Sequence, residues 1–141
     1  MLYIIISAAV FLLDRAVKLL VMNYGTYTIN TGTLFGLFGF FKGSNIIFLL
    51  TTLVIILIFI FLFHKKKILA EVESGVNGGN KLITFSAALI TGGAFGNIFD
   101  RVFYGGVIDY IDLGFWPSFN IADASLVCGM AILMVYAIKK K

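Results

Sequence analysis

Residues 91–123 read TGGAFGNIFDRVFYGGVIDYIDLGFWPSFNIAD. Four of the chain's five aspartates lie here, with Asn97, Arg101 and Asn120 beside them, and the flanking sequence is mostly apolar. Polar and ionisable groups set against hydrocarbon are costly, so they need partners inside the protein and usually mark a function. Gly92 and Gly96 are four apart, the small-xxx-small spacing that lets another helix approach closely. Asn97, Asp100 and Arg101 follow at i, i+3 and i+4 and share one helical face. Pro117 and Ser118 suit the start and N-cap of a further helix, on which Asn120 and Asp123 are i, i+3. Two helices packed across the glycines would bring Asn97 and Arg101 near Asn120 and Asp123. Between them, residues 105–110, GGVIDY, form a short β-like run that carries Asp109.

The rest of the chain supplies the setting. It has 141 residues, 60% of them hydrophobic and only 13% charged, against about 25% charged in a soluble domain. Mean hydropathy is +1.03. Such a chain cannot cover itself with polar surface in water, so it is expected to be a single integral membrane domain over residues 1–141. The net charge of +4 comes from basic residues that flank apolar runs, as loop anchors do, which argues against nucleic-acid binding. Cys128 stands alone in an apolar run and reads as a buried packing residue. No CxxC or Cys/His cluster offers a metal site, and His64, beside Lys65, Lys66 and Lys67, reads as a solvated loop residue.

The expected fold class is an all-α membrane protein of four transmembrane helices with a small extracytoplasmic β-like segment. The helices are expected at about residues 2–22, 45–63, 82–101 and 118–138, each near the length that spans a bilayer. A signal peptide is the competing reading of the first run, but no Lys or Arg precedes it and no A-x-A site follows. Asp14 and Lys18, at i and i+4, can pair on the first helix. Residues 24–33 mix aromatic and β-branched side chains with glycine and read as a strand-like segment at the membrane surface.

Four spans put both termini on one side. That side would carry Lys65, Lys66, Lys67, Lys81, Lys139, Lys140 and Lys141, and the other only Arg15, Lys18, Lys42 and Arg101. The positive-inside rule then makes the termini cytoplasmic and gathers all five aspartates, Asp14, Asp100, Asp109, Asp112 and Asp123, at the outer face.

The chemistry open to that face is narrow. It has no serine in a nucleophile elbow, no histidine and no metal-ligand set beyond carboxylates. A pair of close aspartates sharing one proton could act as general base and general acid on a peptide bond, with no cofactor and no metal. Plainer roles compete: an aspartate near a helix end can be a cap or anchor, Asp100 beside Arg101 reads as a structural ion pair, and Asp112 as a solvated loop residue. A proton-coupled transporter subunit would prefer carboxylates near the midplane and internal repeats, neither of which is seen. A purely structural membrane protein leaves the one-sided aspartates unexplained.

Taken together, these residues resemble the lipoprotein signal peptidases (signal peptidase II), bacterial membrane aspartyl peptidases. Asp14-Arg15-x-x-Lys18 is similar to the family's first-helix motif, and Asn30-Thr31-Gly32 followed by Phe35 to its Asn-x-Gly-Ala-x-Phe segment. Gly92-Gly93-Ala94-x-Gly96-Asn97-x-x-Asp100-Arg101, then Val107-Ile108-Asp109-Tyr110 with Tyr where Phe is more usual, then Phe119-Asn120-Ile121-Ala122-Asp123 complete five motifs in order. Thr33 and Leu34 depart from the family's pattern. The resemblance implies that Asp109 and Asp123 are the catalytic pair. Asn30, Gly32, Asn97, Asp100, Arg101, Asn120 and Ala122 would shape the site or bind substrate, while Asp14 and Lys18 brace the extracellular segment. It implies a prolipoprotein substrate whose cysteine carries diacylglycerol, cut just before that cysteine. The setting would be the bacterial cytoplasmic membrane, with lipid as partner and the enzyme a monomer. Asp123 in the first turns of its helix would gain roughly 0.3–1 kcal/mol for its negative charge from the dipole, leaving the shared proton on Asp109.

Overall fold

The computed structural model describes residues 1–31, 74 and 80–139. The elements, in order, are α1 (Leu2–Tyr24), β1 (Thr28–Asn30), α2 (Lys81–Tyr104), β2 (Val107–Asp109) and α3 (Ile121–Lys139). The span expected at residues 45–63 lies outside the described residues, as do Gly32, Lys42, His64 and the expected loop that follows it. The protein is mostly helical, and the described residues include a small antiparallel sheet.

The first helix is inside-out by the standards of a water-soluble protein. Its buried residues are Asp14, Arg15 and Lys18, while Ile4, Ile5, Leu12, Leu13, Leu19 and Leu20 are exposed. Large exposed apolar surfaces belong to interaction or membrane faces, and a polar interior with an apolar exterior is the arrangement that hydrocarbon selects. Among the described helices, α2 alone is long and apolar enough to cross a membrane by composition.

Helix α2 packs against both α1 and α3 and is central among the described helices. Its start is capped by Asn80, whose side chain accepts from the N–H groups of Leu82 and Ile83. It ends at Gly105, which turns the chain left-handed at φ 73°. The glycines divide between its two neighbours. A Cβ on Gly92 would lie 2.6 Å from the Ser7 carbonyl oxygen of α1, one on Gly93 would strike the Ala122 carbonyl oxygen of α3, and one on Gly96 would lie 2.7 Å from Asp14 Oδ2. The Gly92/Gly96 spacing therefore serves chiefly to admit α1, and Gly93 admits α3.

Two expectations need correction. The last helix begins at Ile121 rather than at residue 118. Phe119 is held in an isolated antiparallel bridge with Ile111, so Pro117 and Ser118 stay ahead of the helix. Asn120, not Ser118, caps it, its Oδ1 accepting from the Asp123 N–H at 2.8 Å. Cys128 is exposed rather than buried; it lies on an apolar outer surface of α3 with Val127 and Met130.

The two β-like runs of the sequence pair with each other. Thr28 lies opposite Asp109, Ile29 opposite Ile108 and Asn30 opposite Val107. This pairing places Asn30 and Asp109 on one ribbon beside the start of α3.

Candidate active site

Asp109 and Asp123 reach a common polar network from different elements. Asp109, the last residue of β2, is buried. Its Oδ2 accepts from Asn30 Nδ2 at 3.0 Å and its Oδ1 from Asn120 Nδ2 at 2.7 Å. Asp123, half-buried in the first turn of α3, accepts from Asn97 Nδ2 at 2.7 Å through Oδ1. Asn120 also donates to Asn97 Oδ1 at 3.3 Å. Three asparagines from β1, α2 and the head of α3 thus bind the two carboxylates into one cluster.

The electrostatics of Asp109 oppose each other. Burial raises its pKa first and most; the negative charge of Asp123 adds to that, while the amide N–H bonds from Asn30 and Asn120 favour the ionised form. Burial wins, and the carboxyl is pushed up to about 6. The next residue, Tyr110, has its phenol raised to about 12 by burial, so it remains protonated. Its oxygen accepts from the Ile121 N–H at 3.3 Å and ties β2 to the start of α3.

Beneath this cluster lies a second one, made of ions. Lys18 Nζ sits 2.8 Å from Asp14 Oδ2 and 2.6 Å from Asp100 Oδ2. Arg15 pairs with Asp100 and lies over the Phe99 ring, 4.8 Å from its centroid. Two cations and two carboxylates make a neutral group shielded from solvent, the form in which buried charge is tolerable. It also grips the layer above it. Asp14 Oδ1 accepts from the Ala122 N–H at 3.1 Å, Asp100 Oδ2 from the Ile108 N–H at 3.1 Å, and Lys18 Nζ donates to Asn97 Oδ1 at 3.4 Å. Asp14 and Lys18 therefore join the helices to each other as well as supporting the sheet through Asp100.

The ion pair read between Asp100 and Arg101 does not form. Adjacent helical residues point in different directions: Asp100 turns toward α1, while Arg101 Nη1 donates to the Asn97 carbonyl at 3.1 Å. Arg101 instead lies within electrostatic reach of Asp123, Asp100 and Asp109, in that order of strength. Asp112 is a loop residue as expected, accepting from the Gly114 N–H at 2.8 Å. Arg15 and Tyr110 join the site in addition to the expected residues; in the sequence Arg15 shows as a cation beside Asp14 in an otherwise apolar helix.

Arg101→Lys should lower both turnover and thermal stability in detergent. A guanidinium presents donors in a fixed fork, and an ammonium on a flexible stem does not reproduce them. A Lys variant equal to the parent in melting temperature and rate would reduce Arg101 to a surface anchor.

The family model described as "Signal peptidase (SPase) II" matches residues 6–139. The lipoprotein signal peptidase of Halothermothrix orenii is 36% identical over 151 aligned positions, covering 96% of this chain and 94% of its own. The lipoprotein signal peptidase of Aquifex aeolicus is 37% identical, covering 95% and 84%. A solved structure described as a bacterial membrane enzyme obtained by the in meso method superposes with a TM-score of 0.71 at 25% identity, over 99% of this chain and 94% of that one.

Proposed function

The chain belongs to the signal peptidase II family, a membrane peptidase that removes signal peptides from prolipoproteins, and on that premise we propose that Asp109 and Asp123 perform the cleavage as an aspartyl dyad. The observation that carries this reading is the joining of the two carboxylates through Asn97 and Asn120. In the singly protonated form that acts, Asp109 holds the proton and Asp123 is ionised. The carboxylate of Asp123 takes a proton from a water molecule as that water adds to the scissile carbonyl. Protonated Asp109 donates toward the carbonyl oxygen as negative charge develops there. When the tetrahedral intermediate collapses, the C–N bond breaks and the amine leaves with a proton from the dyad. Asn30, Asn97 and Asn120 hold the carboxyl groups in register, and Arg101 contributes positive charge beside them.

The substrate in this reading carries diacylglycerol on the cysteine just after the scissile bond. A signal-peptide helix and acyl chains both partition into lipid, so the dyad must lie at the outer interface of the bacterial cytoplasmic membrane, where water also reaches. A transporter subunit fares worse: Asp100, Asp109 and Asp123 gather where α2 ends and α3 begins, whereas a coupled transporter favours carboxylates at mid-depth. Burial and the nearby Asp123 charge push the Asp109 carboxyl up to about 6, which suits an acid–base group better than a purely structural one.

Cleavage should depend on pH in a defined direction. Asp109 carries its proton below about 6 and loses it above, so the rate should fall on the alkaline side as the singly protonated pair disappears. It should also fall in acid as the second carboxylate takes a proton. The two limbs belong to the pair rather than to either residue. A rate constant across this range with the protein still folded would contradict proton sharing.

The orientation has its own test. A reporter fused after Lys141 should read cytoplasmic and one inserted at Gly105 external, following the unequal distribution of Lys and Arg. A cytoplasmic signal at Gly105 would reverse the membrane side assigned to the dyad.

A further inference from the structure

The loop between β2 and α3 has a composition and a shape that the cleavage chemistry does not use. Residues 112–118 read DLGFWPS, with Asp112 as their one charge. The base of the loop is pinned. Tyr110 and Ile111 both donate their N–H groups to the Phe119 carbonyl, and the Phe119 N–H returns a bond to Ile111 at 3.0 Å. Its turn is pinned as well, by the bond from the Gly114 N–H to Asp112 and by the left-handed Gly114 at φ 79°. Asp112 thus spends its carboxylate on the loop's own backbone. What the loop presents outward is apolar: Phe115 is 85% exposed, Leu113 51% and Trp116 49%.

This surface continues the apolar exterior of the helices. Val102 and Phe103 are exposed on the last turn of α2, at the same end of the bundle. Val127, Met130 and Met134 form an exposed stripe along α3 at i, i+3 and i+7. A soluble partner would have to cover the loop and leave this belt to lipid. A bilayer covers both at once, and aromatic rings are favoured at the headgroup level.

We propose that the loop of residues 112–118 is an interfacial anchor that dips Leu113, Phe115 and Trp116 into the outer headgroup region of the bilayer and so sets the depth of the neighbouring carboxylates. Asp109 lies three residues before this loop and Asp123 five residues after it, each held by short bonds to the loop's base or to the cap of α3. The attraction is apolar, without a basic residue in the loop, so it should not need anionic lipid and should survive high salt. The proposal does not depend on the chemistry assigned to the two aspartates.

Trp116 is the only tryptophan in the chain, so its fluorescence reports this loop alone. The full chain would be reconstituted into phosphatidylcholine vesicles, with and without phosphatidylglycerol. Lipids brominated near the headgroup end of the acyl chain should quench most of the emission. Lipids brominated at the bilayer centre should quench it weakly, and aqueous iodide hardly at all, whether or not anionic lipid or salt is present. The double variant Leu113→Ser/Phe115→Ser changes only exposed side chains; it should reverse the pattern, with weaker bromine quenching and stronger iodide quenching. Ready iodide quenching in the parent protein would overturn the anchor. Shielding that arises only when a lipid-modified precursor is added would assign the surface to substrate instead and equally overturn it. Unchanged quenching in the double variant would show that the helices alone set the depth.

Discussion

Asp109→Asn and Asp123→Asn should each abolish processing of a lipid-modified precursor while the protein still accumulates in the membrane. General acid–base groups contribute roughly 10²–10⁴-fold each, and in a dyad that shares a proton either loss removes both functions. An asparagine cannot take a proton from water at Asp123, nor donate one toward the carbonyl oxygen at Asp109. Asp112→Asn is the matched control. Its carboxylate serves only the loop turn, through the Gly114 N–H, and an amide oxygen can accept the same bond. Near-parental processing by either dyad variant would end the aspartyl mechanism. Equal loss in Asp112→Asn would show that the assay responds to general damage at this end of the fold.

The second large effect is expected beneath the dyad. Lys18→Met should destabilise the folded protein by about 3–5 kcal/mol, the cost of leaving buried charges uncompensated. The ammonium is fully buried between Asp14 and Asp100, and methionine offers neither carboxylate a partner. The loss would be read as a lower unfolding midpoint in detergent. Because Lys18 also donates to Asn97 Oδ1, and Asn97 holds Asp123, the surviving folded fraction should turn over more slowly as well. Removing one carboxylate in addition, in Lys18→Met/Asp100→Leu, should cost less than the sum of the two single changes. A Lys18→Met protein within about 1 kcal/mol of the parent would mean that the ionic layer is solvated rather than buried.

Residues bound by local rules were legible in the sequence. The helical faces carrying Asn97, Asn120 and Asp123 follow from i, i+3 spacing, and their meeting follows from glycines that allow backbone approach. Where long-range partners compete with local ones, neighbours in the chain mislead. Asp100 stands next to Arg101 in the chain, but helix geometry turns it toward Arg15 and Lys18 of a helix some eighty residues earlier. Ser118 has the chemistry of an N-cap, yet the bridge between Ile111 and Phe119 keeps that segment extended and passes the cap to Asn120. The pairing of Thr28–Asn30 with Val107–Asp109 could not be foreseen, because two short β-like runs carry no register signal of their own. Apolar surroundings imply burial only in water; around Cys128 on α3 they form the outer surface.

The most direct test of the paired-aspartate reading is the fate of the oxygen atom that cleaves the bond. One turnover of a lipid-modified precursor by excess purified protein, run in water enriched in heavy oxygen, should place one heavy oxygen in the new C-terminal carboxylate of the released signal peptide. Asp109 and Asp123 should carry none, as mass spectrometry of the product and of the digested protein would read. A first-turnover product without label, together with heavy oxygen in the side chain of Asp109 or Asp123, would mean that an aspartate attacks the carbonyl itself, and would contradict water activation by the pair.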